Sequence, residues 1–251
     1  MTRTVIFVEG PDDREVIAHH LRHAGWGELE SPDTWGTLRS FDQQIPNTLC
    51  TAQETLRRGN PTCYHRAGNQ VALVPCRGHA EAAREAGATV GARLGIELER
   101  VLLVLDANGS ATVRLAEAHE FLREEYPDDP LLHTVPVHGM SRQDARGDFA
   151  VFLWPGTGTT GRLEDVLLEA LEALNPGMIA NARAWVAGVR TANGSPLDAT
   201  PAAKAIVSAV GATYGDVAGS NAVRIRRMPL LSTGLSGHAA TFDQFLTAFL
   251  A

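Results

Sequence analysis

The chain has 251 residues, 44% of them hydrophobic, and a formal net charge of −7 from 22 basic and 29 acidic side chains. That apolar share is enough for a buried core and excludes a disordered chain, and its longest apolar runs, such as Val101–Leu105, fall far short of the roughly 20 residues of a membrane span. Three cysteines, Cys50, Cys63 and Cys76, form no CxxC pair, which argues against a disulfide framework or a structural zinc site.

The length suits a compact α/β domain over residues 1–156, containing an insert at 25–69, followed by a mainly helical part over 157–251. Charge divides along a similar line: residues 1–174 carry −10 and residues 175–251 carry +3. An acidic half can hold a metal and a basic one can face phosphate. The start of the chain runs into a strand pattern without the apolar stretch of a signal peptide, so the expected location is the cytoplasm, with no membrane partner. Cys63 and His65 could hold a metal, but buried or indifferent thiols are the better reading.

Thr4–Val8 is a β-branched apolar run, and Glu9-Gly10-Pro11-Asp12-Asp13 leads from it into an apolar spacing of Val16, Ile17, His20, Leu21 and Ala24. This predicts a strand, a turn in which Gly10 takes an unusual backbone conformation, and an amphipathic helix opened by proline and carboxylates. In that helix one of His19 and His20 should pack and the other face water. Residues 25–69 show only a short helix near Thr48–Arg58. Gln70–Pro75 reads as a second strand. Arg77-Gly78-His79 turns from it into a helix with Ala83, Ala86, Val90 and Leu94 on one face. Val101–Leu105 is the third strand, ending in Asp106-Ala107-Asn108-Gly109 before another helix, and further strands are expected at His133–His138 and Phe149–Trp154. Leu163, Val166, Leu167, Ala170, Leu171 and Leu174 form one helical stripe, and Phe242, Phe245, Leu246, Phe249 and Leu250 another. Uniformly apolar strands separated by helices predict a mostly parallel sheet covered on both faces.

In such a sheet ligands bind beyond the carboxyl ends of the strands, so Glu9, Arg77-Gly78 and Asp106 should converge. Each acid alone reads as a helix cap or a solvated loop residue. Together they form a hard oxygen site suited to Mg²⁺ or Mn²⁺. Val5-Ile6-Phe7-Val8-Glu9-Gly10 with Asp12-Asp13, and Leu103-Val104-Leu105-Asp106, resemble the Toprim fold of topoisomerases, primases and OLD-family nucleases. Gly161-Arg162-Leu163-Glu164-Asp165 and the terminal helix extend the likeness to small stand-alone Toprim proteins. The resemblance implies a Rossmann-like α/β fold and one or two Mg²⁺ or Mn²⁺ ions. It implies Glu9 as metal ligand or general acid/base and Asp106 as first acid of a DxD motif, with Gly10, Arg77 and Gly78 lining the site. It also implies Glu164 and Asp165 as additional acidic ligands and a functional lysine in the later helices.

The chain departs from the family at Asn108, which stands where DxD has its second aspartate and keeps a carbonyl ligand without the charge. Lys204 is the single lysine against 21 arginines, and a compact ammonium can neutralise one phosphate oxygen in a way a planar guanidinium does not. Glu164 and Asp165 also fit the first turn of a helix, where carboxylates offset the dipole. Val223–Arg227 alternates as a strand would, placing Arg224 and Arg226 on one face to grip a phosphate backbone or to solvate a sheet edge. The chain shows no GK[ST] phosphate loop, HExxH or GxSxG pattern.

The leading expectation is a metal-dependent nuclease acting on nucleic acid, DNA ahead of RNA. Two others stand beside it: an attenuated module that binds nucleotide or nucleic acid, and a subunit of a partner ATPase or nuclease complex, with a homodimer also open.

Overall fold

The computed structural model describes residues 2–29, 61–96, 98–133, 141–156, 160–192, 199–214, 220–232, 234 and 237–251. Seven strands form one sheet: β1 (Arg3–Val8), β2 (Gly27–Glu28), β3 (Thr62–Arg66), β4 (Asn69–Pro75), β5 (Arg100–Asp106), β6 (Ser141–Asp144) and β7 (Gly147–Trp154). Their spatial order is β2-β3-β4-β1-β5-β7-β6. The four inner strands, β4, β1, β5 and β7, are mutually parallel, and antiparallel pairings add β3 and β2 at one edge and β6 at the other. This is the expected α/β, Rossmann-like architecture with a mostly parallel sheet.

The inner strands are apolar at successive positions because both faces are covered. Ile6, Val8, Leu102, Val104, Phe152 and Trp154 point into one cluster, and Val5, Phe7, Val101, Leu103, Leu105, Val151 and Leu153 into the other. Helices α2 (His79–Arg93) and α3 (Ala111–Leu122) cover the second face. The first is covered by α1 (Pro11–His23), α4 (Leu163–Leu174), α5 (Pro176–Ala192), α6 (Ala199–Gly211), α7 (Asn221–Arg227) and α8 (Gly237–Leu250). Residues of the later helices therefore share one core with the sheet. Phe242 of α8 lies 4.9 Å from Phe152 and 4.5 Å from Trp154, ring centre to ring centre.

The anticipated stripes are buried: Leu163, Val166, Leu167 and Leu171 on α4, and Phe242, Leu246 and Phe249 on α8. Helices α2 and α3 pack so closely that a Cβ on Gly87 would lie 2.1 Å from the carbonyl oxygen of Leu122. A backbone atom cannot rotate away, so Gly87→Ala should cost about 1–3 kcal/mol of stability in a denaturant melt; no loss would contradict this packing.

Several expectations are corrected. Arg224, Arg226 and Arg227 belong to helix α7, not to a strand, because Ala222, Val223 and Ile225 all turn into the core. Arg226 reaches across to Glu28 at 2.8 Å, so it does not share a phosphate-gripping face with Arg224. The sheet-edge strand after β5 is Ser141–Asp144, while 134–140, most of the strand expected at His133–His138, fall outside the described residues, as does the helix expected at Thr48–Arg58. His20 is buried and edge-on to Phe242. His19 is not simply wet: its Nε2 lies 2.7 Å from the carbonyl oxygen of Ile225, and burial pushes its pKa down to about 4. Gly10 has φ −162° and ψ −178°, extended backbone open to any residue, so its turn does not require glycine.

Candidate functional site

Helix α1, which follows β1, and helix α3, which follows β5, lie on opposite faces of the sheet. Adjacent strands whose connections part in this way leave a crevice at their carboxyl ends, the usual ligand position in a parallel sheet. Glu9 directly follows β1 and Asp106 closes β5, so both acids face this crevice. Glu9 Oε1 accepts a hydrogen bond from the backbone N–H of Asp106 at 2.8 Å, across 97 residues of sequence. The backbone N–H of Gly78 donates to the carbonyl oxygen of Glu9 at 2.9 Å, which seats the β4–α2 turn beside it. Gly78 has φ +97°, and this is where the turn needs glycine. Arg77 is exposed at the rim, its backbone N–H bonded to Glu81.

Asp106 is held from two directions. Its Oδ1 accepts from the backbone N–H of Leu163 at 2.8 Å, and its carbonyl oxygen accepts from Arg114 Nε at 3.1 Å. Burial, the Glu9 carboxylate and, more weakly, Glu164 push its pKa up to about 7, against the opposing Leu163 N–H and Lys204.

Two acids not anticipated as site residues join it from the first turn of α1. Asp13 is buried and its Oδ1 accepts from the indole N–H of Trp154 at 3.1 Å. Its carboxyl is held well above the usual range by burial and by Asp106, Glu9 and Asp12. Asp12 is raised as well, by burial and by Glu164, with Lys204 opposing. The pattern Asp12-Asp13 was visible, but a helix N-terminus explains acidic residues by itself. The extra signal was that Val16, Ile17 and Ala18 are core, so the same helix carries Asp13 beneath the surface. Trp154→Phe would remove the donor and leave a buried acceptor unmade, so a loss of about 1–3 kcal/mol in thermal or chemical unfolding is expected.

The segment before α4 closes the site. Asn108 has φ +53° and exchanges two backbone hydrogen bonds with Gly161, of 2.7 and 2.9 Å. Its Oδ1 accepts from Arg162 Nε at 2.6 Å. Asp165 turns back along its own helix, Oδ2 accepting from the backbone N–H of Arg162 at 2.8 Å, so it caps α4. Its neighbour Glu164 faces inward. Lys204 Nζ stands 3.4 Å from Glu164 Oε1, with the lysine side chain 59% exposed and the glutamate 12%. Glu164 Oε2 is buried with no hydrogen-bond partner among the described residues.

The structure thus gathers Glu9, Asp106, Asp12, Asp13, Glu164 and Lys204, keeps Asn108 and Gly78 adjoining them, and gives Asp165 a capping bond. Cys63 is buried in the core and its thiol pKa is pushed up by burial, while His65 is exposed. Among the described residues no three His, Cys, Asp or Glu side chains are arranged as a ready-made metal cage, and no helix is long and apolar enough to cross a membrane.

The chain is similar to a hypothetical protein, PH0156, of Pyrococcus horikoshii OT3, whose crystal structure superposes with a TM-score of 0.56 at 15% identity, covering 99% of this chain and 95% of that one. At that identity the likeness speaks for the fold. No curated protein matches. The model of the DUF3226 family, described as a protein of unknown function, matches residues 3–250, and the chain belongs to that family.

Proposed function

We propose that the chain is a Toprim-type phosphodiesterase that uses Mg²⁺ or Mn²⁺ to hydrolyse nucleic acid, DNA ahead of RNA. The observation that supports this best is the joining of Glu9 to Asp106 across the β1/β5 crevice, with the buried Asp13 of α1 close enough to feel both charges. The donor set fits a hard divalent cation. It offers carboxylate oxygens only, two of its acids are raised by mutual repulsion as well as burial, and Glu164 Oε2 is an orphaned buried oxygen. Mg²⁺ needs only one or two protein carboxylates because it keeps several waters. Glu9 and Asp106 would hold the ion as a pair, with Asp13 and Glu164 adding negative charge close by.

A bound ion would supply Lewis acidity to the phosphate and a water of lowered pKa. The chain's own residues do the rest. Leu163 N–H and Arg114 fix the orientation of Asp106, Trp154 fixes Asp13, and Glu9 is locked by the Asp106 amide. Lys204, largely exposed, brings a positive charge to the rim where phosphate oxygens would enter.

The test is cleavage of supercoiled plasmid and of labelled single- and double-stranded oligonucleotides, with Mn²⁺, Mg²⁺ or EDTA. Ion-dependent cleavage is expected, and Lys204→Ala should slow it about a hundredfold while leaving Mn²⁺ affinity intact. No ion-dependent cleavage by the parent chain would defeat the reading. One observation favours a second: Asn108 is neutral and tied to Arg162, as suits an attenuated module that binds an ion and a phosphate without cutting. Ion binding with no cleavage of any substrate would select it.

A further inference from the structure

We infer that the site loads one divalent ion per chain, and that the guanidinium of Arg162 stands in the place of a second. This rests on the metal-dependent reading above and concerns only its stoichiometry and its phosphate contact. A two-ion site needs a second set of anionic ligands a few ångströms from the first, since two-metal centres hold their ions about 3.5–4 Å apart. Here the groups that might supply it, Asp12, Asn108 and Glu164, are already engaged: Asp12 is hydrogen-bonded with Asn221 and lies near Lys204, and the other two each face a protein cation. Asn108 offers an uncharged Oδ1, and Arg162 Nε takes it at 2.6 Å. Glu164 Oε1 has Lys204 Nζ at 3.4 Å.

The backbone that carries this arginine cannot drift at little cost, and Asn108 Oδ1 holds its Nε. Asn108 and Gly161 are bonded to each other in both directions, Arg162 N–H is bonded to Asp165, and the next N–H, of Leu163, holds Asp106 itself. A Cβ on Gly161 would lie 2.5 Å from Pro155 Cδ, so the loop is packed as well as bonded. The arginine is therefore fixed one residue from the amide that orients the principal metal-binding acid. Of its five side-chain N–H donors, only Nε has an acceptor among the described residues. The two Nη groups form a planar fork suited to two oxygens of a tetrahedral phosphate. The ligand class is a phosphate mono- or diester, which Arg162 would contact through its Nη groups.

The experiment counts Mn²⁺ bound per chain, by calorimetric titration and by electron paramagnetic resonance of the free ion, with no substrate present. The parent should bind one. Asn108→Asp alone should also bind one, because the new carboxylate pairs with Arg162, whereas the double variant Asn108→Asp/Arg162→Ala should bind two. Two ions in the parent, or one in a double variant whose circular dichroism is that of the parent, overturns the inference alone. No ion in the parent overturns it together with the metal-dependent reading. The count in the parent decides regardless of how the variants fold. Inorganic phosphate should bind the Mn²⁺-loaded protein about tenfold more weakly in Arg162→Gln than in the parent, and equal affinity would remove the guanidinium from phosphate recognition.

Discussion

At pH 8 and without added metal, Asp106→Asn should raise the midpoint of thermal unfolding, and the same substitution should abolish any further rise on adding Mn²⁺. Asp106 has a pKa of about 7 in the folded chain, against an ordinary 3.8, chiefly through burial and the neighbouring Glu9. A folded pKa above the unfolded one means that the native state holds more protons between about pH 4 and pH 7. Stability therefore falls as pH rises through that window, and the whole penalty is present above it. The gap corresponds to at most roughly 4 kcal/mol, at 1.36 kcal/mol per pH unit. Asparagine carries no charge, and its Oδ1 can keep the hydrogen bond from Leu163 N–H, so the substitution removes the penalty without breaking the loop. Between pH 7 and pH 5 the parent should gain stability relative to the variant, the difference isolating Asp106 from Asp12, Asp13 and His19, whose shifts both proteins keep. In the parent, added Mn²⁺ should recover stability, as an ion that bound the folded, ionised site would. A variant less stable than the parent at pH 8, or one that Mn²⁺ stabilises equally, would contradict this.

Glu9→Gln should lower ion-dependent cleavage about a thousandfold or more while leaving the fold in place. Glutamine keeps an Oε1 to accept the Asp106 N–H that Glu9 accepts at 2.8 Å, so the β1/β5 junction survives. What it loses is the charge that the proposed ion would require, and removal of a group on which such an arrangement would depend costs far more than a peripheral contact. The check is a single-turnover cleavage assay beside a chemical denaturation curve. Near-parental cleavage would remove Glu9 from the chemistry, and an unchanged denaturation midpoint with lost cleavage is the expected pair of results.

The strand ends were legible because a buried parallel strand is written as a continuous apolar run, and the residue at which the run stops must face solvent or a site. Thr4–Val8 and Val101–Leu105 therefore placed Glu9 and Asp106 at strand ends from the chain alone. Asp13 was not legible in the same way. Asp13, Arg14 and Glu15 are all buried, yet three consecutive charged residues at a helix start carry the signature of a solvated first turn. What buries them is partly long-range: Trp154 reaches Asp13, and Arg226 of α7 lies near Glu15. Helix α7 itself was misread because five alternating residues are too few to separate a period of 2 from one of 3.6, and its burial is settled by packing against α1. The Asn108–Arg162 pair spans 54 residues, and no local pattern announces it. The roles of Glu164 and Asp165 were ambiguous for a local reason. Both suit the first turn of a helix, and only the inward facing of Glu164 toward Lys204 separates the capping residue from the site residue.

The most direct measurement is a titration of Mn²⁺ into the parent chain and into Glu9→Ala, with plasmid cleavage followed in the same samples. Saturable binding and cleavage are expected in the parent, and the loss of both in the variant with its circular dichroism unchanged. Equal binding in both proteins, or cleavage that persists without Glu9, would contradict the metal-dependent reading.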